Sequence, residues 1–393
     1  MSLEAGGHRR ATVGVPRETD PHEARVALVP TVIPELTRSG LAVIVERGAG
    51  ISAGFRDDLY ESHGARLGSR EEVLEADVVV RVRGWGQDDV GFPHPSHPDQ
   101  VAIGMADPLG SPHAVRAAAE DKLIAIALDL MPRITRAQSM DALSSQATIT
   151  GYRAVLLAAH RLPKMFPMLT TAAGTVPPAQ VLVVGAGVAG LQAIATARRL
   201  GAVVQAYDVR PAAQEDIESL GARSVLLPLA PGDAEDASGY AKELGEAFYR
   251  RQQELLAQVA TAVDVIVTTA LIPGSPAPML ITERAVAGMQ PGSVIVDCAA
   301  ERGGNCQLTR PDETVLTSNG VAVLGPTNLP STVPRDASLM YAKNVAAFLD
   351  LITEGGRVVL NEDDEIVRGT LVTRAGEIVN ARVLRALEEV RDV

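Results

Sequence analysis

The stretch VLVVGAGVAG, residues 181–190, decides the fold of this chain. Its first four residues are an apolar run typical of a buried strand, and the turn GAGVAG (185–190) leads into a helical pattern over Ala189–Leu200. In a βαβ unit the first glycine permits the tight turn, the second lets the backbone approach a pyrophosphate, and the third lets helix and strand pack closely. The helix N-terminus offers free N–H groups to phosphates. The stretch therefore predicts a Rossmann-type domain with Gly185, Gly187 and Gly190 against a dinucleotide.

An acidic residue stands where the next strand ends. The run Val203–Asp208 reads as that strand, and Asp208 can accept hydrogen bonds from the ribose hydroxyls of the cofactor. Its charge would repel a 2′-phosphate, so NAD(H) is favoured over NADP(H). The nearby Arg210 either weakens this exclusion a little or stacks on the adenine edge. A packing turn of small residues without a ligand is the alternative, and the strand and helix around the turn argue against it.

The composition sets broad limits on function. A chain of 393 residues is long enough for two or three domains. A net charge of −12 without a long basic run argues against nucleic-acid binding. The cysteines, Cys298 and Cys306, form no C-x-x-C pair, which favours a reducing cytosol. No secretory signal is seen, and no apolar run approaches the roughly 20 residues that span a bilayer, so we expect no direct membrane insertion.

Apolar runs alternate with helical patterns from the start of the chain, which is typical of a parallel sheet. The elements predicted before residue 130 are strands at Thr12–Val15, Leu41–Val45, Asp77–Val82, Val101–Met105 and Leu123–Leu128, and helices at Thr31–Arg38, Arg70–Glu75 and near His113–Glu120. After residue 130, besides the glycine turn and its flanking strands and helix, the predicted helices are a long bridging helix at Gln138–His160 and helices at Pro211–Leu220, Tyr240–Ala262 and Ala337–Ile352. The predicted strands are Arg223–Leu227, Val263–Thr268, Val294–Asp297 and Ala322–Leu324. We also expect a loop at Thr170–Pro178, a mobile loop at Ala230–Gly239 and a small hairpin over Glu365–Val379.

These patterns predict an α/β protein of two doubly wound, parallel-sheet, Rossmann-like domains with a cleft between them. The first domain is discontinuous and comprises residues 1–140 plus 331–393. The second, residues 141–330, binds NAD(H). The long helix near residue 140 carries the chain out of the first domain, and the helix near 337 carries it back.

A polar segment precedes the second domain. It reads MPRITRAQSMDALSSQ (131–146) and follows a predicted strand, and the carboxyl end of a strand is where α/β proteins place ligands. Gln138, Asp141 and Ser144 are three residues apart and share one face if the segment is helical. The alternative is structural: Asp141 and Ser144 cap a helix, and Arg133 and Arg136 are solvated.

The sequence gives little evidence for a metal site or for acid–base chemistry. The seven histidines are scattered without the spacing of metal ligands, so no metal site is predicted. Asp297, at the end of a predicted strand, either faces the cofactor or caps the following turn, and Cys298 is expected to pack behind that strand end.

Several segments together carry a resemblance to a known family. They are VGVPRE and EARVALVP (within 13–30), RITRAQSMDALSSQA (133–147), TAAGTVPPAQVLVVGAGVAGLQAI (171–194), SGYAKEL (238–244), VTTALIPGSPAPMLIT (267–282) and SVIVDCAAERGGN (293–305). With them the chain resembles the soluble NAD(H)-binding component, domain I or the alpha-1 subunit, of proton-translocating NAD(P) transhydrogenase.

The resemblance implies roles for individual residues. Arg133, Gln138, Asp141 and Ser144 match the polar loop around the dihydronicotinamide ring, and Gln138 also reaches toward the partner's nucleotide. Tyr240 matches the tyrosine of a mobile loop that closes over NAD(H). The nucleotide-contact positions implied by the family are Ile134, Thr135, Val188, Asp208, Val209, Arg210, Gly239, Gln252, Ala270 and Leu271.

The resemblance also implies a reaction and partners. Hydride passes directly from NADH to NADP⁺ held by another domain, so the protein needs to position two rings and exclude water rather than supply a general acid or base. The family works as a homodimer that docks on an NADP(H)-binding domain and a membrane-embedded proton-channel subunit. The chain is then cytoplasmic and peripheral at the inner face of the membrane.

Two other functions are weighed against this one. Alanine dehydrogenase is a more distant resemblance: Arg25 matches its carboxylate-binding arginine and Glu301 its acidic residue beside the nicotinamide. Its catalytic lysine, however, falls at Arg83, and its histidine falls near Ala106 or Asp107. An arginine does not readily give up its proton at neutral pH and is a poor acid–base substitute. A non-enzymatic NADH-sensing module is the third possibility, and it would not need the ring-side polar segment.

Overall fold

The computed structural model describes residues 10–85, 95–228, 245–272 and 274–389. The chain divides into two compact units. Unit 1 comprises Met1–Gln146 and Ser331–Val393, and unit 2 comprises Ala147–Pro330. The division falls after Gln146, inside a long helix, whereas the sequence pattern placed it after residue 140.

The first segment of unit 1 alternates strands and helices. Its elements are β1 (Thr12–Val15), α1 (Ile33–Arg38), β2 (Ala42–Glu46), α2 (Asp57–Ser62), β3 (Arg66–Gly68), α3 (Arg70–Leu74), β4 (Val78–Arg83), β5 (Val101–Met105), α4 (Pro112–Glu120) and β6 (Ile124–Ala127). The strands predicted at Thr12–Val15 and Val101–Met105 have these bounds in the structure. They were visible because most positions of a parallel strand are apolar when both faces are covered.

Unit 2 begins within the long helix and ends before the return to unit 1. Its elements are α5 (Ala142–Arg161), β7 (Leu169–Thr171), β8 (Gly174–Val176), β9 (Gln180–Val184), α6 (Val188–Arg199), β10 (Val203–Tyr207), α7 (Ala213–Ser219), β11 (Arg223–Ser224), α8 (Glu246–Ala260), β12 (Val265–Thr268), α9 (Glu283–Ala287), β13 (Val294–Asp297), β14 (Thr314–Leu316) and β15 (Ala322–Leu324).

The last segment of the chain completes unit 1. Its elements are α10 (Pro334–Leu351), β16 (Thr353–Glu354), β17 (Arg357–Val358), α11 (Glu365–Thr370), β18 (Leu371–Arg374), β19 (Glu377–Ile378) and α12 (Ala381–Glu389). β18 pairs antiparallel with β6, so the end of the chain extends the sheet that its first segment begins.

Each unit is built on one large sheet. Within the described residues, the sheet of unit 1 has the order β19-β18-β6-β5-β4-β1-β2-β3, and that of unit 2 has the order β11-β10-β9-β12-β13-β15-β14. In the large sheet of unit 1, the six neighbouring strands β3-β2-β1-β4-β5-β6 are parallel, and in the large sheet of unit 2 β14 is the antiparallel strand among those described. The predicted α/β class with two doubly wound, Rossmann-like sheets is therefore confirmed.

Side chains on both faces of each sheet are buried. In β9, Val181 and Val183 join one apolar cluster, whereas Leu182 and Val184 join the cluster on the opposite face. This alternation follows from the two-residue period of a strand. In unit 2 the strand order reverses between β9 and β12, and ligands of doubly wound sheets bind at the carboxyl ends of strands at that point. No helix among the described residues is long and apolar enough to cross a membrane.

The strand predicted at Arg223–Leu227 is shorter in the structure, Arg223–Ser224, and three other predicted elements differ in type over part of their length. The helix predicted over Gln138–His160 is a short 3-10 turn, Thr135–Met140, followed by α5, because Asp141 leaves the helical conformation and caps α5. The predicted loop at Thr170–Pro178 contains part of the β7–β8 hairpin. The hairpin predicted over Glu365–Val379 begins only at Leu371, since the preceding residues form α11 behind an Asp364 cap.

Candidate nucleotide-binding site

The glycine turn of unit 2 joins β9 to α6. Gly185 has a φ of +97°, a left-handed conformation that favours glycine, and its N–H donates to the Tyr207 carbonyl at 2.8 Å. The hydroxyl of Thr269 donates to the Gly185 carbonyl at 3.0 Å. A Cβ added at Gly190 would lie 1.8 Å from that same carbonyl oxygen. The first and third glycines are therefore required by the turn itself.

Gly187 has a different environment. A Cβ added there would meet no protein atom within 4 Å, and the residue is the N-cap of α6 with an ordinary φ of −76°. No side chain in the described part of the chain caps this helix. The first-turn N–H groups and the positive end of the helix dipole thus face open space, which suits a phosphate group.

Asp208 directly follows β10, beside this turn. Its carboxylate accepts from the backbone N–H of Ala186 at 2.7 Å, which ties the strand end to the glycine turn. Arg210 donates to the same carboxylate from its backbone N–H at 2.8 Å, from Nε at 2.9 Å and from an Nη at 3.1 Å. The structure therefore pairs Arg210 with Asp208, and this pairing partly neutralises the charge expected to repel a 2′-phosphate.

A loop after β12 forms another side of this region. Leu271 is 44% exposed, and Ala270 beside it is held by Asn305. The Asn305 side chain accepts from the Ala270 N–H at 3.1 Å and donates to the Ala270 and Pro278 carbonyls at 2.8 and 2.9 Å. Asn305, which is fully buried, thus clamps both ends of the loop.

Three further nucleotide-contact residues predicted for unit 2 have clear positions. Val188 is 38% exposed in the first turn of α6, and Val209 is half-buried between Asp208 and Arg210. Gln252 is buried in α8, and its amide donates to the Tyr207 hydroxyl at 2.8 Å. Burial raises the pKa of Tyr207 to about 12, so this hydroxyl stays protonated at neutral pH.

The polar segment of unit 1 has a capping motif at its end. The Asp141 carboxylate accepts from the Ser144 backbone N–H at 2.9 Å and from its hydroxyl at 2.6 Å. Gln138 lies in the preceding 3-10 turn, so the three residues do not share one helix face, as the sequence had suggested. The capping alternative for Asp141 and Ser144 describes their contacts here.

The segment presents polar side chains outward over an apolar base. Ala137 and Met140 are buried, whereas Gln138 is exposed. Asn344 of α10 donates to the Ser139 carbonyl at 2.8 Å and holds the backbone in place. Arg133, Thr135 and Arg136 are exposed as well, and Ile134 is half-buried.

A bidentate ion pair fixes the same segment to the end of unit 1. The two Nη atoms of Arg136 donate to the two carboxylate oxygens of Asp364 at 2.7 and 3.0 Å. This pair lowers the pKa of Asp364, which also caps α11. Arg136 is therefore occupied in holding the segment, rather than only solvated as the structural alternative supposed.

Charged residues also gather at the strand ends of unit 1. Arg25 donates from Nε and one Nη to Glu23 at 2.7 and 2.6 Å, and from the other Nη to Gln146 at 2.8 Å. Arg83 lies 3.2 Å from a carboxylate oxygen of Asp20. Arg25 thus has protein acceptors, which reduces what it can offer to a substrate carboxylate.

Asp297 ends β13, and the sequence left open whether it faces the cofactor or caps the following turn. The Asp297 carboxylate is fully buried and accepts from the hydroxyls of Thr268 and Thr309 and from the N–H groups of Ala299 and Cys306. With four donors, Asp297 caps the following turn.

Both cysteines are free. Burial raises the pKa of Cys298 and raises the pKa of Cys306 to about 11, so neither is a reactive thiolate at neutral pH.

Two predicted residues, Gly239 and Tyr240, lie outside the described residues, as does the predicted mobile loop 230–239. The described residues contain no group of three or more His, Cys, Asp or Glu side chains arranged to hold a metal ion.

Three residues of the site were not predicted from the sequence: Thr269, Asn305 and Asn344, whose side chains form hydrogen bonds with backbone groups. Asn305 ends a segment that carried the family resemblance, and that was the available signal.

Comparison with known proteins places the chain among nicotinamide nucleotide enzymes. Residues 14–150 match the family model described as alanine dehydrogenase/PNT, N-terminal domain, and residues 154–381 match the corresponding C-terminal domain. A Rhodospirillum rubrum protein named as an NAD(P) transhydrogenase alpha subunit is 47% identical over 94% of this chain and 97% of its own length. Alanine dehydrogenase 1 of Staphylococcus aureus is 27% identical over 94% of each chain.

A solved structure agrees with these relatives. The transhydrogenase from Sinorhizobium meliloti superimposes with a TM-score of 0.82 and 42% identity, covering 94% of this chain and all of that one. The two family models cover the polar segment, near the end of residues 14–150, and the glycine turn, within residues 154–381.

Proposed function

The chain belongs to the alanine dehydrogenase/PNT family, and from this premise we propose that it is the NAD(H)-binding alpha component of an NAD(P) transhydrogenase. The observation that carries the proposal is the near-full-length likeness to transhydrogenase alpha components, at a much higher identity than to alanine dehydrogenase. The reaction is direct hydride transfer between NADH and NADP⁺, with NADP(H) bound on a partner domain and transfer coupled to proton translocation.

The residues of unit 2 fit NAD(H). The open space at Gly187 leaves room for the pyrophosphate beside the first turn of α6. Asp208 lies where the adenosine ribose of a Rossmann-bound dinucleotide is expected, and its acceptors favour hydroxyl groups over a 2′-phosphate. Arg210 shares that carboxylate and must release part of it when the hydroxyls bind. Val188, Val209, Ala270 and Leu271 supply apolar surface near the nucleotide.

The residues of unit 1 have a positioning task in this proposal. Bound NADH supplies the hydride. Arg133 and Gln138, whose side chains are exposed, orient the nicotinamide carboxamide, with Ile134 and Thr135 beside them. Asp141 and Ser144 fix the start of α5 and thereby the end of the polar segment. Tyr240 and Gly239 close over the nucleotide, as the family resemblance implies. None of these residues needs to move a proton.

Alanine dehydrogenase chemistry is the main alternative, and the strand ends of unit 1 do not favour it. Oxidative deamination needs a group that takes up a proton near the substrate. Arg83 stands where that enzyme has its lysine, and it pairs with Asp20. Ala106 and Asp107 stand near its histidine position, and their N–H groups bond to the Asp129 carboxylate. A substrate carboxylate would also compete with Glu23 for Arg25.

The remaining assembly follows from the same proposal. The chain works as a homodimer, joined to an NADP(H)-binding domain and a membrane-embedded proton-channel subunit. It is then cytoplasmic and peripheral at the inner face of the cell membrane through these partners. Charge complementarity between an acidic chain and its partner would assist docking.

A mixing assay tests the proposal. The purified chain is combined with the NADP(H)-binding component of a transhydrogenase, and reduction of NADP⁺ by NADH is followed with each component alone as a control. We expect turnover only in the mixture. Oxidation of L-alanine with NAD⁺ and no partner would instead establish the dehydrogenase alternative. NADH binding without turnover in the mixture would favour an NADH-sensing module.

A conservative substitution tests the role given to the polar segment. Gln138→Asn shortens an exposed side chain by one methylene and should slow hydride transfer about 10- to 100-fold by misplacing the ring. The dissociation constant for NADH should change little, because most nucleotide contacts belong to unit 2. Gln258→Asn, on the exposed face of α8, is the matched control and should alter neither quantity. A large loss of NADH affinity in Gln138→Asn would refute this role.

A further inference from the structure

Asn344 is a buried amide on the side of α10 that packs inward. It is 7% exposed and shares this side of the helix with Tyr341, Val345 and Phe348, which belong to the apolar cluster of unit 1. Apolar residues at this spacing form the packed face of a helix. An amide on such a face loses its hydration and therefore requires hydrogen-bond partners.

One end of this amide holds the polar segment. The Asn344 Nδ2 donates to the Ser139 carbonyl at 2.8 Å. Because a carbonyl oxygen can only accept, the end of the amide that faces Ser139 is the nitrogen. A continuing helix would supply a backbone N–H to that carbonyl, but the 3-10 turn ends at Met140, and Asn344 supplies a donor there. The bond therefore ties α10 to the residue that directly follows Gln138.

The other end of the amide has no donor in the described part of the chain. The Asn344 Oδ1 is buried and accepts no hydrogen bond there. The other buried asparagines of the described residues, Asn305 and Asn380, have both amide ends bonded. A buried acceptor without a donor is destabilising, so an apolar side chain of the same shape would suit the packing of α10 better. A purely structural role does not explain an amide at this position.

The apolar base of the polar segment positions it only loosely. Ala137 and Met140 join the apolar cluster of unit 1, and apolar contacts are not directional. A hydrogen bond is directional, so the bond from Asn344 sets the orientation of the turn that carries the exposed Gln138. A displacement of about 1 Å in a positioning group can slow a reaction about 100-fold.

We propose that Asn344 is a positioning residue for hydride transfer: its bond to the Ser139 carbonyl fixes the 3-10 turn and thereby the direction in which Gln138 meets the nicotinamide. In this role Asn344 acts through the backbone and does not contact the nucleotide. The inference rests on the proposed function and adds a residue of the C-terminal segment to the transfer geometry. Slower transfer at unchanged NADH affinity distinguishes such a role from nucleotide binding.

The first test replaces the amide by an apolar group of the same shape. Asn344→Leu keeps the number of side-chain heavy atoms and removes both the bond to Ser139 and the unsatisfied acceptor. With the NADP(H)-binding component and saturating NADH, we expect transfer about tenfold slower than in the wild type. The NADH dissociation constant should stay within about threefold and the melting temperature within about 4 °C, because the two losses offset each other in stability. Lys343→Leu, at the exposed neighbour on α10, is the control and should change none of these quantities.

The second test restores the donor by protonation. Asn344→Asp donates to Ser139 only while its carboxyl is protonated, a form that burial and the carbonyl acceptor favour. The transfer rate of this variant, divided by the wild-type rate at the same pH, should rise at least about threefold as pH falls from about 9 to about 5. NADH binding at each pH shows that the variant is folded, and the same ratio for Lys343→Leu should be flat.

A double variant tests whether Asn344 acts through Gln138. In Gln138→Asn the ring is already misplaced, so adding Asn344→Leu should slow transfer further by less than about threefold. Two independent effects would multiply instead.

Each outcome decides the proposal. A wild-type transfer rate in Asn344→Leu would overturn it, as would a loss of NADH affinity that matches the loss of rate, which would assign the residue to binding. A flat pH profile for Asn344→Asp, or multiplied effects in the double variant, would show that the bond to Ser139 does not act through Gln138 and would overturn it too. NADH binding without turnover in the wild-type mixture would instead overturn the proposed function.

Discussion

The three glycines of the 185–190 turn are alike in sequence but differ in what surrounds them. At Gly190 the space of a side chain is filled by the Gly185 carbonyl oxygen, so the requirement is internal to the fold. At Gly187 the space is open, so the fold itself tolerates a methyl group. A ligand is therefore the reason we give for glycine at 187, and this difference can be tested by two matched substitutions.

Gly187→Ala should leave stability nearly unchanged and weaken NADH binding about tenfold or more, because the added methyl occupies the space proposed for the pyrophosphate. Gly190→Ala should destabilise the protein by about 1–3 kcal/mol or more, since its Cβ overlaps backbone. Thermal unfolding and NADH fluorescence titration measure both effects. Gly245→Ala, at another open glycine of unit 2, is the control. Wild-type affinity in Gly187→Ala would place the pyrophosphate elsewhere.

Some contacts of single residues could be predicted from the sequence, and others could not. The carboxylate at Asp208 was predictable from its distance to the glycine turn, since both belong to one local βαβ unit. Its two bonds from the Arg210 side chain were not, because they depend on the rotamer of a long side chain. The role of Asp297 stayed open for a similar reason: one of its four donors, Thr309, comes from a different loop.

The helix α5 shows the same limit at the scale of an element. Its apolar periodicity was visible, but its start was not, because Asp141 reads as a possible helical residue until its bonds to Ser144 are known. Gly151 lies within this helix, where a glycine is intrinsically unfavourable. In the structure it allows α5 to lie close against the first turn of α6, within unit 2.

Gly151→Ala tests that approach. A Cβ at this position would lie 2.0 Å from the Ala189 carbonyl oxygen, in the helix that begins at the glycine turn. In an exposed helix the change would stabilise by up to about 1 kcal/mol; here we expect a loss of about 1–3 kcal/mol, because two helices must separate. NADH affinity should fall as well, since the N-terminus of α6 moves. A raised melting temperature, measured by thermal unfolding, would contradict this account.

Elements with strong local patterns were predictable, and those made by distant pairing were not. The central strands β1, β5, β9 and β13 are nearly all apolar and stand out in the sequence. The edge strands β3 and β14 are only three residues long, and β14 is largely exposed, so no hydrophobic pattern marks them. The antiparallel pairing of β18 with β6 joins residues from the two ends of the chain, which local periodicity cannot reveal.

The two units of the whole molecule share a sheet design but differ at their strand ends. Unit 2 has a glycine turn with open space, as a nucleotide site requires. Unit 1 has charged side chains paired with one another, among them Arg25 with Glu23 and Arg81 with Glu18. Buried pairs of this kind are poor evidence for stability but leave the molecule sensitive to protonation. Unit 1 should therefore show the stronger pH dependence.

Asp129 provides the clearest case. It lies in the turn after β6 and accepts from the N–H groups of Ala106 and Asp107 at 3.1 and 2.7 Å. Burial raises its pKa to about 6, although the two N–H groups favour the charged form. Between about pH 4 and pH 6 the folded protein holds a proton that the unfolded chain has released. Its stability should therefore fall as pH rises through this window, by up to about 1.4 kcal/mol per pH unit.

Trp85 offers a direct measurement of this effect. It is the single tryptophan of the chain, is 1% exposed, and packs in the same apolar cluster as Ala106 and Leu130, so its fluorescence reports on unit 1 near Asp129. Denaturant unfolding from pH 4.5 to 6.5 should give a decline for the wild type that Asp129→Asn removes, because the amide does not titrate. Asp58→Asn, at an exposed ion pair, should keep the wild-type slope. Parallel curves for the wild type and Asp129→Asn would show that this carboxyl keeps its ordinary pKa in the fold.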